Sequence, residues 1–321
     1  MSPRLPRAAR WFGLMGIFVL LLMLPGLFFG PGQDQGIFMV IGRGILHGQT
    51  PYLDLWDHKP PLIYVVSALA DLMPGDYWAW LWIFSIAAVT ATGYVIRLMT
   101  NRVTAVIATV LLASYPATQG GGMTETFATL AAAAAFWWAT RDRWVLVGAA
   151  AGVALLTSLQ LLALIPALLV LGGRRGILPG LGGALVVIAP VVLWLGLAGA
   201  LPAAWDAVAV YSRVYLDLDP SLDLRVYLPF AGLMLLPLVP LALHRPTGRT
   251  EVAAMVWVGL GLLVVLANGR LFPHYLTPLL VPLAILAGST IRHFRRRQWL
   301  MLAVILTTLV WGVALAPAPY R

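Results

Sequence analysis

Long apolar stretches, separated by short polar ones, follow one another along the whole chain. Most are close to the roughly 20 residues that an α-helix needs to cross the hydrocarbon layer of a bilayer. They are rich in Ala, Leu and Val and show no strand-like alternation, which favours helices over a membrane barrel. We therefore predict an all-α, polytopic membrane protein. The pattern predicts about eleven crossings, at 11–30, 77–97, 103–119, 124–140, 144–157, 158–171, 177–199, 227–243, 251–267, 275–291 and 299–316.

Two shorter apolar stretches lie in the first predicted loop, residues 31–74. Residues 34–47 carry apolar side chains at helical spacing with polar ones between them, which is typical of a helix lying in the membrane interface. Residues 61–73 are too short to cross, and Pro74 and Gly75 end them. We expect this second stretch to form another interfacial or re-entrant helix.

Two later parts of the chain are less regular. The stretch 144–171 is long for one crossing and short for two, but only two crossings keep Arg143 and Arg174 on the same side of the membrane. The segment 200–226 is acidic and aromatic, and we expect it to be a second external loop. Residues 1–321 would then make a single transmembrane domain with no separate soluble domain.

The distribution of charge orients these helices. The chain is 61% hydrophobic and 10% charged, with a formal net charge of +9. The positive-inside rule places the basic loops and the N-terminus in the cytoplasm and the acidic loops outside. The basic balance therefore reflects topology in the lipid of a plasma or inner membrane, and it requires no nucleic-acid partner. Fifteen of the 21 basic residues cluster in alternate loops: Arg4, Arg7, Arg10, Arg97, Arg102, Arg141, Arg143, Arg174, Arg175, Arg245, Arg249, Arg292, Arg295, Arg296 and Arg297.

Asp34 is the first acid after the first predicted crossing. In one interpretation it is a solvated loop residue or the N-cap of the interfacial helix that follows. In the other it is a general base or a metal ligand at the membrane surface, where partial loss of solvent would raise its basicity. The residue pattern alone leaves both interpretations open.

Asp57, His58 and Lys59 concentrate charge directly before Pro60 and Pro61, and Lys59 is the only lysine in the sequence. The cluster either satisfies itself at the interface, with the prolines starting a helix, or it forms a binding site. Paired acids suit a divalent metal or an acceptor hydroxyl, and an ammonium beside them suits a phosphate.

Further polar residues are predicted to face the same side of the membrane. Glu125 either interacts favourably with a helix N-terminus or faces a cavity that the neighbouring glycines 120–122 leave open. Arg270 is either an isolated interfacial cation or a guanidinium that binds a lipid-linked phosphate. His274 follows at the same external mouth.

Several functional classes are excluded by what the sequence lacks. It contains no cysteine, so disulfides and thiolate metal sites are excluded. Walker loops, dinucleotide fingerprints, His-Glu-x-x-His motifs and Gly-x-Ser-x-Gly elbows are absent. The predicted crossings carry almost no charge in their interiors, which argues against an ion channel.

The loop residues together resemble the first external loop of GT-C membrane glycosyltransferases. Residues 48–54 read Gly-Gln-Thr-Pro-Tyr-Leu-Asp, and residues 56–64 read Trp-Asp-His-Lys-Pro-Pro-Leu-Ile-Tyr. Asp34, this loop, the region of Glu125 and the segment 269–275 occur in the order that the family has them. The resemblance is greatest to the bacterial branch of protein O-mannosyltransferase, aminoarabinose transferase and Rgt-like enzymes.

This resemblance implies a transferase that moves a sugar from a polyprenyl-phosphate donor to an acceptor hydroxyl on the extracytoplasmic side. Asp34 falls where the family has its catalytic acid. A divalent metal, Mg²⁺ or Mn²⁺, would have Asp34, Asp57 and Glu125 as its candidate ligands. The acceptor would be a glycan, a lipid or a protein. Donor-phosphate or substrate binding is implied for Asp57, His58, Lys59, Tyr64, Glu125, Arg270, His274 and Tyr275.

Two other functions are compatible with the same charges. A flippase or transporter of a lipid-linked sugar would bind the phosphate without breaking a bond, and it would tolerate loss of Asp34 if that residue only capped a helix. A non-catalytic scaffold subunit would do neither. Release of the carrier from polyprenyl-phosphate sugars separates the three functions.

Overall fold

The computed structural model describes residues 7–211, 213–214, 242, 245–267 and 272–291. Within these ranges the structure is helical and confirms the predicted all-α, polytopic fold class. Its α-helices are α1 (Arg7–Phe28), α2 (Gln33–Leu46), α3 (Leu62–Asp71), α4 (Tyr77–Met99), α5 (Arg102–Gln119), α6 (Thr124–Ala139), α7 (Trp144–Thr157), α8 (Leu164–Gly172), α9 (Ile177–Leu197), α10 (Leu201–Trp205), α11 (Arg249–Ala267) and α12 (Leu280–Ile291). Shorter helical turns are the 3₁₀ segments Leu159–Ala163, Gly173–Gly176 and Pro273–Leu279 and the π-helical turn Asp206–Val210.

Among the described residues, four helical runs are long and apolar enough to cross a membrane: 9–28, 77–99, 159–197 and 249–267. Each overlaps crossings that the sequence predicts. The predicted crossing at 299–316 lies outside the described residues, as does 227–243 apart from residue 242. About half of the second predicted loop, 200–226, also lies outside them, and its described beginning is helical.

The first loop contains two helices at the positions where the sequence predicts interfacial ones. Helix α2 buries Phe38 and Ile41, and α3 buries Ile63 and Tyr64. These side chains share a small hydrophobic cluster with residues from the end of α9 and from α10. Amphipathic spacing thus produces a packed layer beyond the end of α1, which is where the candidate residues lie.

The main hydrophobic core lies among α1, α4 to α8, α11 and α12. Two indoles of α4 attach it to α1: Trp78 Nε1 donates to the Leu27 carbonyl at 3.1 Å, and Trp82 Nε1 donates to the Met23 carbonyl at 3.0 Å. A buried indole needs an acceptor, so these bonds fix how α4 meets α1 just before the loop that contains Asp34.

Helices α7 and α9 pack closely and run in the same direction. A Cβ atom at Gly148 would meet Gly180 and Ala184, and one at Gly152 would meet Ala184 and Val187. The residue numbers of the contacting positions therefore increase along both helices in the same direction. Because α7 and α9 are parallel, the chain that connects them, which contains α8, must run in the opposite direction. This is the arrangement that two crossings in the stretch 144–171 require.

Replacing Gly183 of α9 with alanine is expected to destabilise the protein. The added Cβ would lie 2.7 Å from the Val145 carbonyl carbon and 3.0 Å from the Ala149 nitrogen, and overpacking of this kind costs about 1–3 kcal/mol. Gly182→Ala is the matched control, because a Cβ there meets nothing within 4 Å and alanine favours the helix. Thermal unfolding in detergent should rank Gly183→Ala below Gly182→Ala. Equal melting temperatures would contradict this packing.

Candidate functional site

Helix α2 presents Asp34 from its first turn. The N-cap of α2 is Gly32, so the interpretation of Asp34 as a cap is wrong. Its side chain is partly buried, and among the described residues no hydrogen bond or ion pair engages the carboxylate. Phe38 lies one turn further along the same face and is buried. Packing therefore orients the helix while the Asp34 carboxylate stays available.

A compact turn at residues 50–55 leads from α2 to the charged cluster. Thr50 N donates to Asp54 Oδ2 at 2.6 Å, Asp54 N donates to the Thr50 carbonyl at 3.0 Å, and Tyr52 N donates to the Leu55 carbonyl at 2.8 Å. Tyr52 has φ of +73°, which is unusual for a bulky residue. Asp54 thus stabilises the turn, and the turn buries the Tyr52 ring.

Asp57 is a buried carboxylate whose two oxygens both have partners. Oδ1 accepts from the His58 backbone N–H at 2.8 Å and lies 3.2 Å from His58 Nδ1, and Oδ2 accepts from the Tyr64 hydroxyl at 2.9 Å. Burial opposes ionisation, but the His58 and Tyr64 contacts outweigh it and lower the pKa of Asp57. Asp57 is therefore a charged, fully engaged group.

Lys59 lies at the centre of the candidate residues. Its Nζ atom is 5.9 Å from the centre of the Tyr275 ring. Burial opposes the charged form, but Tyr275 and the charges of Glu125, Asp34 and Asp57 outweigh burial and raise the pKa of Lys59. No carboxylate of the described residues lies within 4.0 Å of the ammonium. Lys59 is thus a permanent cation that acids surround without direct contact.

Glu125 enters from the first turn of α6 and is 2% exposed. The Thr124 hydroxyl donates to its Oε2 at 2.7 Å. The preceding glycine loop packs tightly on α4: Gly122 N donates to Ser85 Oγ at 2.7 Å, and a Cβ at Gly122 would lie 2.7 Å from Leu81 Cδ2. The glycines allow the close approach that the sequence predicts, and this approach brings Glu125 inside, where Lys59 interacts with it.

His274 and Tyr275 lie on the 3₁₀ segment Pro273–Leu279, which packs against α6. The two rings meet edge to face at 4.5 Å between centroids. His274 is 7% exposed, and its Nδ1 atom has no hydrogen-bond partner among the described residues. A buried ring nitrogen without a partner is a candidate contact for a bound ligand.

Lowering the pH from about 6.5 towards 4 is expected to destabilise the protein through His274. Burial, together with the charge of Lys59, lowers the pKa of His274 to about 3, whereas a free imidazole titrates near 6.5. In this pH range the unfolded chain binds a proton at His274 that the folded chain does not bind. The contribution of His274 to folding stability is therefore complete above the unfolded pKa, and it decreases as the pH falls below that value. Thermal unfolding of His274→Gln should vary less over this range than that of the exposed-site control His47→Gln. Identical pH slopes would contradict the burial of a neutral His274.

The structure brings together eight of the nine candidate residues. Asp34, Asp57, Glu125 and Tyr275 act on Lys59, and His274 interacts with Lys59 and Asp34. The remaining two described candidates join through Asp57, which contacts His58 and Tyr64. Arg270 lies outside the described residues.

Two aromatic residues at this centre were not predicted as site residues. Tyr52 donates from its hydroxyl to the Lys59 carbonyl at 2.7 Å. Tyr115 of α5 places its ring 5.2 Å from that of His274. Tyr52 is part of the loop motif quoted above, so that motif was a usable signal, whereas Tyr115 has no signal in its local sequence.

The described residues do not fit a metal site. No group of three or more His, Cys, Asp or Glu side chains within them is arranged to hold an ion. Both Asp57 oxygens are already engaged, and the Lys59 ammonium interacts with all three predicted metal ligands. The acids therefore act as partners of a cation that the protein itself supplies.

A cavity of about 710 Å³ lies on the face of α2 opposite Asp34 and is lined in part by Met39, Arg43 and His47. Arg43 forms a two-point ion pair with Asp71, at 2.7 and 3.0 Å. Its guanidinium is thus already satisfied, unlike the ammonium of Lys59.

Comparison with known proteins identifies the fold. No protein-family model and no curated protein matches the chain. Two solved structures are similar: ArnT from Cupriavidus metallidurans bound to undecaprenyl phosphate, with a TM-score of 0.68 and 17% identity, and the same protein in the apo state, with 0.67 and 18%. They cover 93% and 92% of this chain, which spans 63% and 62% of those chains. The chain therefore has the fold of these ArnT structures, in agreement with the fold that the sequence resemblance implied.

Proposed function

We propose that this protein is a membrane glycosyltransferase that moves a sugar from a polyprenyl-phosphate donor to an acceptor hydroxyl on the extracytoplasmic side of the cell membrane. The observation that carries the proposal is the convergence of Asp34, Asp57 and Glu125 around Lys59. The fold supports it, because one of the similar ArnT structures is bound to undecaprenyl phosphate. A buried cation such as the Lys59 ammonium suits the phosphate of a lipid-linked ligand.

Lys59 would bind the donor phosphate. As the bond between the sugar and the phosphate breaks, negative charge grows on the departing oxygen, and a cation already held in place stabilises it. His274 is neutral, and its Nδ1 has no hydrogen-bond partner among the described residues, so its ring can donate or accept at the same phosphate. Arg270 would add a second cation from the segment 268–271.

Asp34 would activate the acceptor. Its carboxylate takes the proton of the acceptor hydroxyl while that oxygen forms a bond to the anomeric carbon of the sugar. The bond from this carbon to the phosphate oxygen breaks, and its electron pair leaves with the polyprenyl phosphate. Attack from the side opposite the phosphate inverts the anomeric centre, in agreement with the separate positions of Asp34 and Lys59 on α2 and the loop.

The proposed reaction has no step that involves a metal. A Mg²⁺ or Mn²⁺ requirement stays a prediction of the sequence resemblance, and comparison of transfer rates with and without a chelator tests it. Lys59 offsets one of the three carboxylates, and His58 and Tyr64 satisfy Asp57.

The test is release of the carrier. Purified protein in lipid nanodiscs would be given polyprenyl-phosphate hexoses, pentoses and aminopentoses together with glycan, lipid and peptide acceptors. Mass spectrometry would follow free polyprenyl phosphate and the glycosylated acceptor, and we expect both products in equal amounts with at least one pair. Movement of the donor between leaflets without either product would indicate a flippase, and inertness towards every pair would indicate a scaffold.

A further inference from the structure

Two buried tyrosine hydroxyls meet at the backbone carbonyl of Lys59. The Tyr52 hydroxyl donates to this oxygen at 2.7 Å, and the Tyr64 hydroxyl lies 3.0 Å from it and 2.9 Å from Asp57 Oδ2. The two residues are 5% and 0% exposed. A carbonyl oxygen can accept two hydrogen bonds. Tyr52 gives it one, and Tyr64 shares its single hydrogen between this carbonyl and Asp57 Oδ2.

The backbone of Lys59 is also restrained by the residue that follows. Pro60 disfavours the helical conformation for the residue before it and leaves an extended one. Lysine side chains are long and lose substantial rotamer freedom when ordered. A restrained backbone fixes the position of the Lys59 Cα and Cβ atoms. This reduces the number of positions that the ammonium can occupy.

Tyr52 adopts a costly backbone conformation to make this contact. With φ of +73° it is one of two non-glycine residues with positive φ in the part of the chain that the structure describes. Such a conformation persists where the surroundings over-determine it, and here the turn supplies two bonds, Tyr52 N to the Leu55 carbonyl and Thr50 N to Asp54 Oδ2. Strain at a buried aromatic beside the only lysine is difficult to explain by packing alone.

The same rings connect Lys59 to the helix that bears Asp34. Tyr52 and Tyr64 meet at 6.0 Å between centroids, with planes at 68°, and Tyr64 lies 6.2 Å from Phe38. Phe38 follows Asp34 by one helical turn on the same face. A rigid aromatic chain therefore sets the position of the lysine relative to the acid.

We propose that Tyr52 and Tyr64 are positioning residues that hold the Lys59 carbonyl, and with it the ammonium, in register with Asp34 for a phosphate of a lipid-linked donor. The identity of the ligand rests on the proposed function. Neither hydroxyl has a hydrogen left for a substrate, because each hydroxyl carries one hydrogen and both are used inside the protein. Tyr64 thus has an indirect role, in place of the direct substrate contact that the sequence resemblance implies.

The test compares binding of undecaprenyl phosphate with binding of undecaprenol, the same chain without the phosphate. Thermal stabilisation by each lipid would be titrated for the wild type, Tyr52→Phe, Tyr64→Phe and the double variant. The matched control is Tyr94→Phe, whose ring packs on Trp11 and Phe12 away from the loop. The same variants would be assayed for KM and kcat with the active donor.

We expect the apparent Kd for undecaprenyl phosphate to rise a few-fold in each single variant and about tenfold or more in the double variant. The double variant should exceed the product of the two single effects, because either hydroxyl alone still holds the carbonyl that they share. Undecaprenol binding should not change, and the loss of activity should appear in KM for the donor more than in kcat. Tyr94→Phe should match the wild type throughout.

Three outcomes would overturn the positioning role. One is an unchanged phosphate affinity in a folded double variant, and another is an equal loss of affinity for both lipids, which a general structural defect produces. If the double variant does not fold, phosphate affinities at the wild-type level in both single variants decide against it. Failure of the proposed function is visible separately, because the wild type itself would then show no preference for the phosphate over the alcohol.

Discussion

Replacing Asp34 with asparagine is expected to lower the rate of sugar transfer by about 10²–10⁴-fold, the usual contribution of a general base. Asparagine keeps the size and polarity of the side chain but cannot take a proton. The Asp34 carboxylate has no hydrogen-bond partner among the described residues, so the substitution breaks no internal bond. Binding of the donor and the melting temperature should therefore stay close to those of the wild type.

Asp76→Asn is the matched control for this substitution. Asp76 is also an acid and comes shortly after the first loop, and its Oδ1 accepts from Ala79 N at 2.7 Å as the N-cap of α4. Asparagine caps helices about as well as aspartate, so this variant should transfer sugar at the wild-type rate. Transfer by Asp34→Asn at the rate of the control would exclude Asp34 as the base and favour a different acid.

Replacing Lys59 with methionine is expected to weaken donor binding by roughly 100-fold or more, since removing one partner of a buried charge group costs about 3–5 kcal/mol. Methionine keeps much of the length and apolar stem of lysine but has no charge. The substitution also leaves the buried Glu125 without the cation that acts on it. We therefore expect a lower melting temperature together with the loss of donor affinity.

The double variant Lys59→Met with Glu125→Gln separates these two effects. Removing the second charge relieves the buried carboxylate, so stability should recover towards that of the wild type. Donor affinity should not recover, because no ammonium remains to meet the phosphate. Full recovery of donor affinity would show that Lys59 serves only as a counter-charge for Glu125.

Local patterns in the sequence were sufficient for the helices around the site. The predicted interfacial stretch 34–47 corresponds to Gln33–Leu46, and 61–73 corresponds to Leu62–Asp71. Both signals are short-range: apolar side chains at helical spacing, and a proline and a glycine that end a helix. The charged cluster was visible for a similar reason, because all its members lie within a few residues.

Contacts between distant parts of the chain could not be predicted in the same way. The Tyr275 ring beside Lys59 comes from a segment more than 200 residues later, and no local pattern encodes that meeting. The positive φ of Tyr52 depends on a turn whose bonds form only after folding. Gly148 and Gly152 form a Gly-x-x-x-Gly pair, a spacing that is common in membrane helices. The structure alone identifies α9 as the helix that packs against it.

The most direct test of the account is the position of the phosphate when the protein binds undecaprenyl phosphate in a nanodisc, measured by cryo-electron microscopy. We predict phosphate density within hydrogen-bond distance of Lys59 Nζ, beside the His274 and Tyr275 rings. The Asp34 carboxylate should face the space where the acceptor would bind. Phosphate density in the cavity next to Arg43, on the face of α2 opposite Asp34, would contradict the assignment of Lys59 and Asp34 to one catalytic centre.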